Sequence, residues 1–418
     1  VAHTSFESVK EAFIGCALSE DDLKTGLITS LNELLEPVRQ HFENNSIAKE
    51  LFNKVKEYKR NPTPPTNEFR KLDLVKSKMI ESEGSHVVFV PPPTHKPTVS
   101  LVMDLLRQIH DVPADKKVVL WLSDWSAKVT SSCQADAKAI DAYYDVVLTC
   151  LRTLRGLNES DEKDNVQIVK QSDAILSDAS NYWISVINVG RHFNLDEVMG
   201  NDMVDSDSVG IVIARLMKIA DISSITPTSV SFNTQNSDDM VVAKLIGRYY
   251  AEIPFLSSLT PSLSIISKAR SDISLHRRES EGLKTENDEY YLLDDPKVHG
   301  KSKMKKAFCE PGNIEYCPPI ALVSEIMFVS PSSASGSSFT INRSDENGGN
   351  VAYKNRNAIE TDFKGGQLHP GDLKAEAQKV MVDTLTRLQS SIKEDGKAFK
   401  GSKALKAFEK KLSKGKKK

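Results

Sequence analysis

Between residues 85 and 170, short apolar runs alternate with long amphipathic ones, and this alternation constrains the fold more than any other feature of the chain. SHVVFV (85–90), KKVVLWLSDW (116–125) and VQIVK (166–170) read as strands. TVSLVMDLLRQI (98–109) and AIDAYYDVVLTCLRTLR (139–155) read as helices, with apolar residues every three or four positions. Strands separated by helices of this length imply a parallel, doubly wound α/β sheet covered on both faces. Ligands of such sheets bind beyond the carboxyl ends of the strands, which here hold Thr94, His95 and Asp124.

A second constraint is an internal repeat. LSEDDLKTGLITSLNELL near the start and LHPGDLKAEAQKVMVDTL near the end align without a gap at a shift of 350, the interval from Asp22 to Asp372. At that shift Phe13 meets Phe363, Leu18 meets Leu368, and Leu31, Leu35, Val38 and Phe42 meet Met381, Leu385, Leu388 and Ile392. Both segments read as helices with one apolar face, and Asp22 and Asp372 fall where an N-cap or first-turn carboxylate belongs. So long a period points to duplication of a whole protein rather than a solenoid. The expectation is a truncated first copy, a polar Pro-containing junction (KEYKRNPTPPTNEF, 57–69), and then a second copy.

With 418 residues, 39% of them hydrophobic and 27% charged, the composition is that of a soluble globular protein of two or three domains. The net charge is −2, so affinity for a polyanion must come from local clusters. Five cysteines without metal-ligand spacing imply reduced thiols and no structural metal; Cys309 and Cys317 read as small buried residues. No run of about 18 apolar residues suggests a membrane span, and VAHTSFESVKEAF does not read as a signal peptide.

KMKKAFCEPGNIEYCPP (303–319), ENGGN (346–350) and LHPGDLK (368–374) together resemble the anticodon-binding region of eukaryotic and archaeal tyrosyl-tRNA synthetases. LNELLEPVRQHF (31–42) is similar to the last helices of that region, and the family's unit length matches the repeat. The resemblance implies the rear part of a double-length synthetase of the trypanosomatid kind, in which two fused copies imitate a homodimer. The expected layout is then residues 1–60 as C-terminal helices of the first copy, 61–80 as linker, 81–295 as a Rossmann-like catalytic-type domain of class I, and 296–418 as an all-α anticodon-binding domain with a basic tail.

The resemblance weakens where chemistry belongs. The family's TGKPHVAY signature stands here as THKPTVSL (94–101), with Thr98 at the His position and Lys96 and Pro97 as its remnants; the displaced His95 reads as a surface histidine. The family's YPGLQALD and VDAQFGGIDQRK correspond to ARLMKIAD (214–221) and VSFNTQNSDDMV (230–241). Ala214, Lys218, Ser231 and Asn233 thereby replace a Tyr, a Gln, an Asp and a Gln, and Asp221 alone survives. A pocket that recognises a phenol depends on such polar partners. In place of the mobile lysine loop, SKARSD (267–272) keeps only Lys268 and Ser271.

In the family one tRNA lies across both subunits, so the resemblance implies that one copy can lose catalysis while keeping anticodon binding. His369 and Asp372 stand at the positions that face the first anticodon base. Asn347 replaces the usual aromatic before Gly-Gly, leaving Tyr353 or Phe339 as stacking candidates. The first copy has Ser19 and Glu20 where the second has His369 and Pro370. The implied partners are tRNA-Tyr and the other copy of the polypeptide, in the cytoplasm. ATP with Mg2+ serves the whole enzyme, and none is assigned to this chain. Two other readings stay open: an active site rebuilt on Asp124, Asp221 and Lys268, or a protein-binding module outside translation. In the tail, GKAFKGSKALKAFEKKLSKGKKK, apolar residues recur near helical spacing, and its lysines either hold tRNA phosphates or are simply solvated.

Overall fold

The computed structural model describes residues 72–415 apart from 82–83, 114–115, 157–164, 201–208, 253–262, 269–272, 277–284, 330–337, 345 and 347. Residues 1–71 form a separate unit and lie outside the described residues, as does the Asp22 segment of the repeat.

Five parallel strands make the sheet: β1 (His86–Val90), β2 (Val118–Leu122), β3 (Val166–Lys170), β4 (Ser229–Asn233) and β5 (Ser264–Lys268), in the order β3-β2-β1-β4-β5. Successive side chains alternate across it. Val88, Val90, Leu120 and Leu122 enter one core, and Val87, Phe89, Val119 and Trp121 the other. The inner strands β1 and β2, buried on both faces, carry no polar alternation and read as apolar runs, whereas β3 is partly exposed and β4 alternates serine with apolar residues.

Helices α1 (Val99–His110) and α3 (Ala137–Arg155) cover the first face, with the short α2 (Asp124–Val129) between them. The other face is covered by α4 (Gln171–Ser177), α5 (Ala179–Gly190), α7 (Val209–Ile225) and α8 (Ser237–Glu252), with the short α6 (Leu195–Met199) preceding α7. The chain winds β1, β2, β3 to one side and then crosses to β4 and β5. The switch point therefore lies between β1 and β4, where the carboxyl ends diverge and a crevice opens.

The C-terminal part comprises α9 (His299–Lys306), α10 (Pro318–Ser324), α11 (Arg356–Lys364), α12 (Pro370–Glu394) and α13 (Gly396–Gly415). It is helical except for an antiparallel hairpin, β6 (Phe339–Ile341) with β7 (Val351–Tyr353). One apolar cluster runs from Val88 and Val102 through Tyr143 to Leu373, Leu385 and Leu405, so this part shares a core with α1 and α3. Leu72, Leu74 and Ile80 are buried in the opposite core, and the Leu74 amide donates to the Ser224 carbonyl at 3.0 Å. Residues 72–80, expected to end the linker, are thus part of the packed unit. Their apolar side chains are spaced too sparsely to show a periodic pattern in the sequence.

Candidate functional sites

At the switch point a cavity of about 100 Å³ is walled by Phe89 of β1, Ser231 and Asn233 of β4, Ala214 and Lys218 of α7, and Asp239 in the first turn of α8. Every position expected to mark a lost substrate contact, Thr98 excepted, lies on it. Ala214 offers no polar side-chain atom. The Lys218 ammonium sits 2.5 Å from Asp239 Oδ1 and over the rings of Phe89 and Phe232, at 4.7 and 5.3 Å from their centroids. The second oxygen of Asp239 accepts the Asn233 amide at 2.9 Å. Ser231 Oγ lies 3.0 Å from Nε2 of the buried His86, whose Nδ1 lies 2.8 Å from Ser229 Oγ. Burial holds this imidazole down at about 4, so it is neutral at physiological pH. Asn233 Oδ1 accepts the Gln235 amide at 3.0 Å. The polar atoms at these positions are therefore engaged by the protein itself.

A neighbouring cleft of about 540 Å³ includes Thr94, Thr98, Ser100, Gln235, Ser237 and Glu289 in its walls. Thr98 caps α1, its hydroxyl accepting the Leu101 amide at 3.2 Å. Among the described residues no cationic side chain lines the cleft. Lys96, the signature remnant, is spent on Glu286 at 2.5 Å and Glu409 of α13 at 2.8 Å. That ammonium holds the Glu286 carboxyl below its usual range. Of the two helices that begin at the cleft, α1 carries no acid in its first turn, whereas α8 carries Asp238 and Asp239.

The other remnants face inward. Asp221 is 1% exposed and accepts from Trp121 Nε1 (3.0 Å), Gln171 Nε2 (2.7 Å) and Tyr182 Oη (2.9 Å). Burial pushes its carboxyl up to about 7 against the pull of those donors. Asp124, also buried, accepts the Ser172 amide at 2.9 Å. Neither wall of the cavity includes them. Lys268 ends β5, paired with Asn233, rather than standing in a loop; Ser271 lies outside the described residues. Asp124 and Asp221 therefore do not line the cavity. Among the described residues no cluster of three His, Cys, Asp or Glu could hold a metal.

The second constellation lies at the start of α12. The cap is His369, not Asp372: its Nδ1 accepts the Gly371 amide at 3.0 Å, and Pro370 fills the first helical position. Of the Asp-Leu-Lys triplet, Leu373 is in the core, while Lys374 donates to the carbonyls of Lys305 (2.7 Å) and Ala307 (2.9 Å), finishing α9. Asp372, half-buried, makes no hydrogen bond or ion pair with a described residue. Arg343, which the sequence did not single out, pins the hairpin loop to this helix start. It donates to the carbonyls of Gly349 (3.2 Å) and Gln367 (2.8 Å), while its amide donates to Asn350 Oδ1 (3.0 Å). The Gly-Gly turn, with φ of +91° and +68° at Gly348 and Gly349, is thereby drawn to the loop that leads into His369 and Asp372. Asn347 lies outside the described residues. Phe339 and Tyr353 are 2% and 3% exposed, packed into the core, and cannot stack on a base. Their spacing in the hairpin could not reveal which strand face is buried.

No protein-family model matches the chain. A cytoplasmic tyrosine–tRNA ligase of Arabidopsis thaliana is 24% identical over 97% of this chain and 58% of its own length. Over 90 residues the identity with the Xenopus tropicalis cytoplasmic enzyme reaches 41%, covering 22% of this chain and 16% of that enzyme. The solved structure of Leishmania major tyrosyl-tRNA synthetase in complex with fisetin superposes with a TM-score of 0.62 at 28% identity, over 99% of this chain and 56% of that one. The chain is a homologue of the tyrosyl-tRNA synthetases. It spans a little over half the length of the Arabidopsis and Leishmania relatives. Sequence motifs identified the synthetase relationship but missed Asp239, Glu286 and Glu409, the acids that occupy the remaining cations. The doubled acid of NSDDMV at the head of α8 is the one trace of them in the sequence.

Proposed function

We propose that this chain is the tRNA-reading part of a cytoplasmic tyrosine–tRNA ligase, and that its own catalytic-type domain no longer activates tyrosine. The observation that carries this reading is the Lys218–Asp239 pair, an internal ion pair beside two aromatic rings on a cavity whose polar groups would have to be free to hydrogen-bond a phenol. The complete enzyme would activate tyrosine with ATP and Mg2+ and transfer it to tRNA-Tyr, using a pocket in another copy of the same polypeptide. Support for that fused, pseudo-dimeric partner comes from the 350-residue internal shift.

Asp372 offers a carboxylate with no partner among the described residues, able to accept from the Watson–Crick edge of an unstacked guanine, beside the His369 imidazole and the loop that contains Asn347. Purified residues 1–418 should show no tyrosine-dependent ATP–pyrophosphate exchange and should still prefer the tyrosine anticodon. His369→Ala with Asp372→Ala should remove about 1–3 kcal/mol of that preference. Robust exchange refutes the first half of the reading; an anticodon preference that survives both substitutions refutes the second.

A further inference from the structure

The lysine-rich helix α13 is not a free tail. Ala398, Leu405 and Phe408 are buried in the shared core or against it, and the helix approaches α3 so closely that a Cβ on Gly401 would stand 3.0 Å from the Ala142 carbonyl. At 100° per residue the buried positions fall on one side. Lys400, Lys403, Lys406, Lys410 and Lys414, all exposed, fall on the other. They form a stripe roughly 21 Å long at 1.5 Å per residue. None of the five pairs with an acid of a described residue, and the single acid of α13, Glu409, is already held by Lys96 at 2.8 Å. A chain of net charge −2 thus concentrates unneutralised cations along one rigid edge.

We propose that this edge is a sequence-independent phosphate-binding rail for an RNA stem. The proposal rests on the tRNA-reading role above and adds a second, separate contact surface. Since α12 is 25 residues long, α13 begins about 37 Å from His369, at the other end of α12. An RNA stem fits better than an anionic membrane. A membrane-surface helix needs its apolar face free to enter the bilayer, and here that face is sunk against α3.

The test uses residues 1–418 and two tRNA transcripts that differ only in the anticodon. In the triple variant Lys403→Gln, Lys410→Gln, Lys414→Gln, affinity at about 0.15 M salt should fall roughly a hundredfold for both transcripts. The slope of log affinity against log salt should flatten by about 2.7, at about 0.9 per phosphate contact. The matching Lys→Arg triple variant should bind as the parent does, and the melting temperature should stay unchanged in both. Unaltered affinity and slope in the Gln variant overturn the rail, as does a loss confined to phosphatidylserine vesicles. If the parent binds both transcripts equally while the Gln variant still loses affinity, the anticodon reading fails and the rail stands.

Discussion

Replacing Asp221 by Asn separates a structural carboxylate from a substrate contact and gives the effect a sign that depends on pH. In an unfolded chain this carboxyl titrates near 3.8; in the fold, burial moves it to about 7. Between those values the native state holds a proton that the unfolded chain has released. The stability due to the buried neutral acid is complete below about pH 4 and is lost as pH rises through 7. Three pK units at 1.36 kcal/mol each come to about 4 kcal/mol. An amide in its place cannot ionise, but it turns a donor toward Trp121 or Gln171 and forfeits about 1–3 kcal/mol of hydrogen bonding at every pH. Relative to the parent, Asp221→Asn should therefore be less stable near pH 4 and gain about 4 kcal/mol by pH 8. The check is urea unfolding followed by fluorescence of the buried Trp121 at several pH values. Taking the difference between variant and parent cancels every other titrating group. A difference that stays constant from pH 4 to pH 8 would refute the argument, because it would mean that Asp221 does not titrate in this window.

His86 should give the opposite slope. Its imidazole is held down to about 4 against 6.5 in the unfolded chain, so its contribution is complete above pH 6.5 and lost as pH falls through 4. His86→Gln should flatten the acid limb of stability by about 3 kcal/mol, measured by the same unfolding series. Adjacent residues of α12 should differ in kind. Leu373→Ala, at a fully buried position, should cost about 2–5 kcal/mol of stability, whereas Asp372→Ala should cost less than about 1 kcal/mol while weakening anticodon preference. Equal losses of melting temperature for the two variants would contradict the division of roles.

Three of the five strands were read from the sequence, and β1 and β2 most plainly, because they are buried on both sides; β4 (SVSFN) and β5 (SIISK) were not read as strands. Val87 to Val90 and Val118 to Leu122 must be apolar at every position, which leaves runs that no amphipathic helix produces. The helices α1 and α3 were legible from their single apolar faces. Long-range pairings were not. Nothing local to Lys96 indicates that its partners stand at Glu286 and Glu409, and nothing local to Phe339 and Tyr353 shows that the hairpin turns both rings inward. The site was legible by the same distinction. Positions that depart from the family's motif, such as Ala214, can be recognised one at a time. The engagement of the remaining polar groups by Asp239 and His86 exists only after the chain has crossed from β1 to β4.

The triplet at 372–374 holds three residues with unequal duties: one in the core, one closing another helix, and one without a partner among the described residues. Selection for a sound scaffold alone would preserve Leu373 and Lys374. A copy that has ceased to read any anticodon would therefore go on displaying most of the motif, as DLK at 22–24 does behind Ser19 and Glu20. In the division of labour proposed above, the two copies are told apart by the three residues before the triplet, Ser19, Glu20 and Asp21 against His369, Pro370 and Gly371, rather than by the triplet itself.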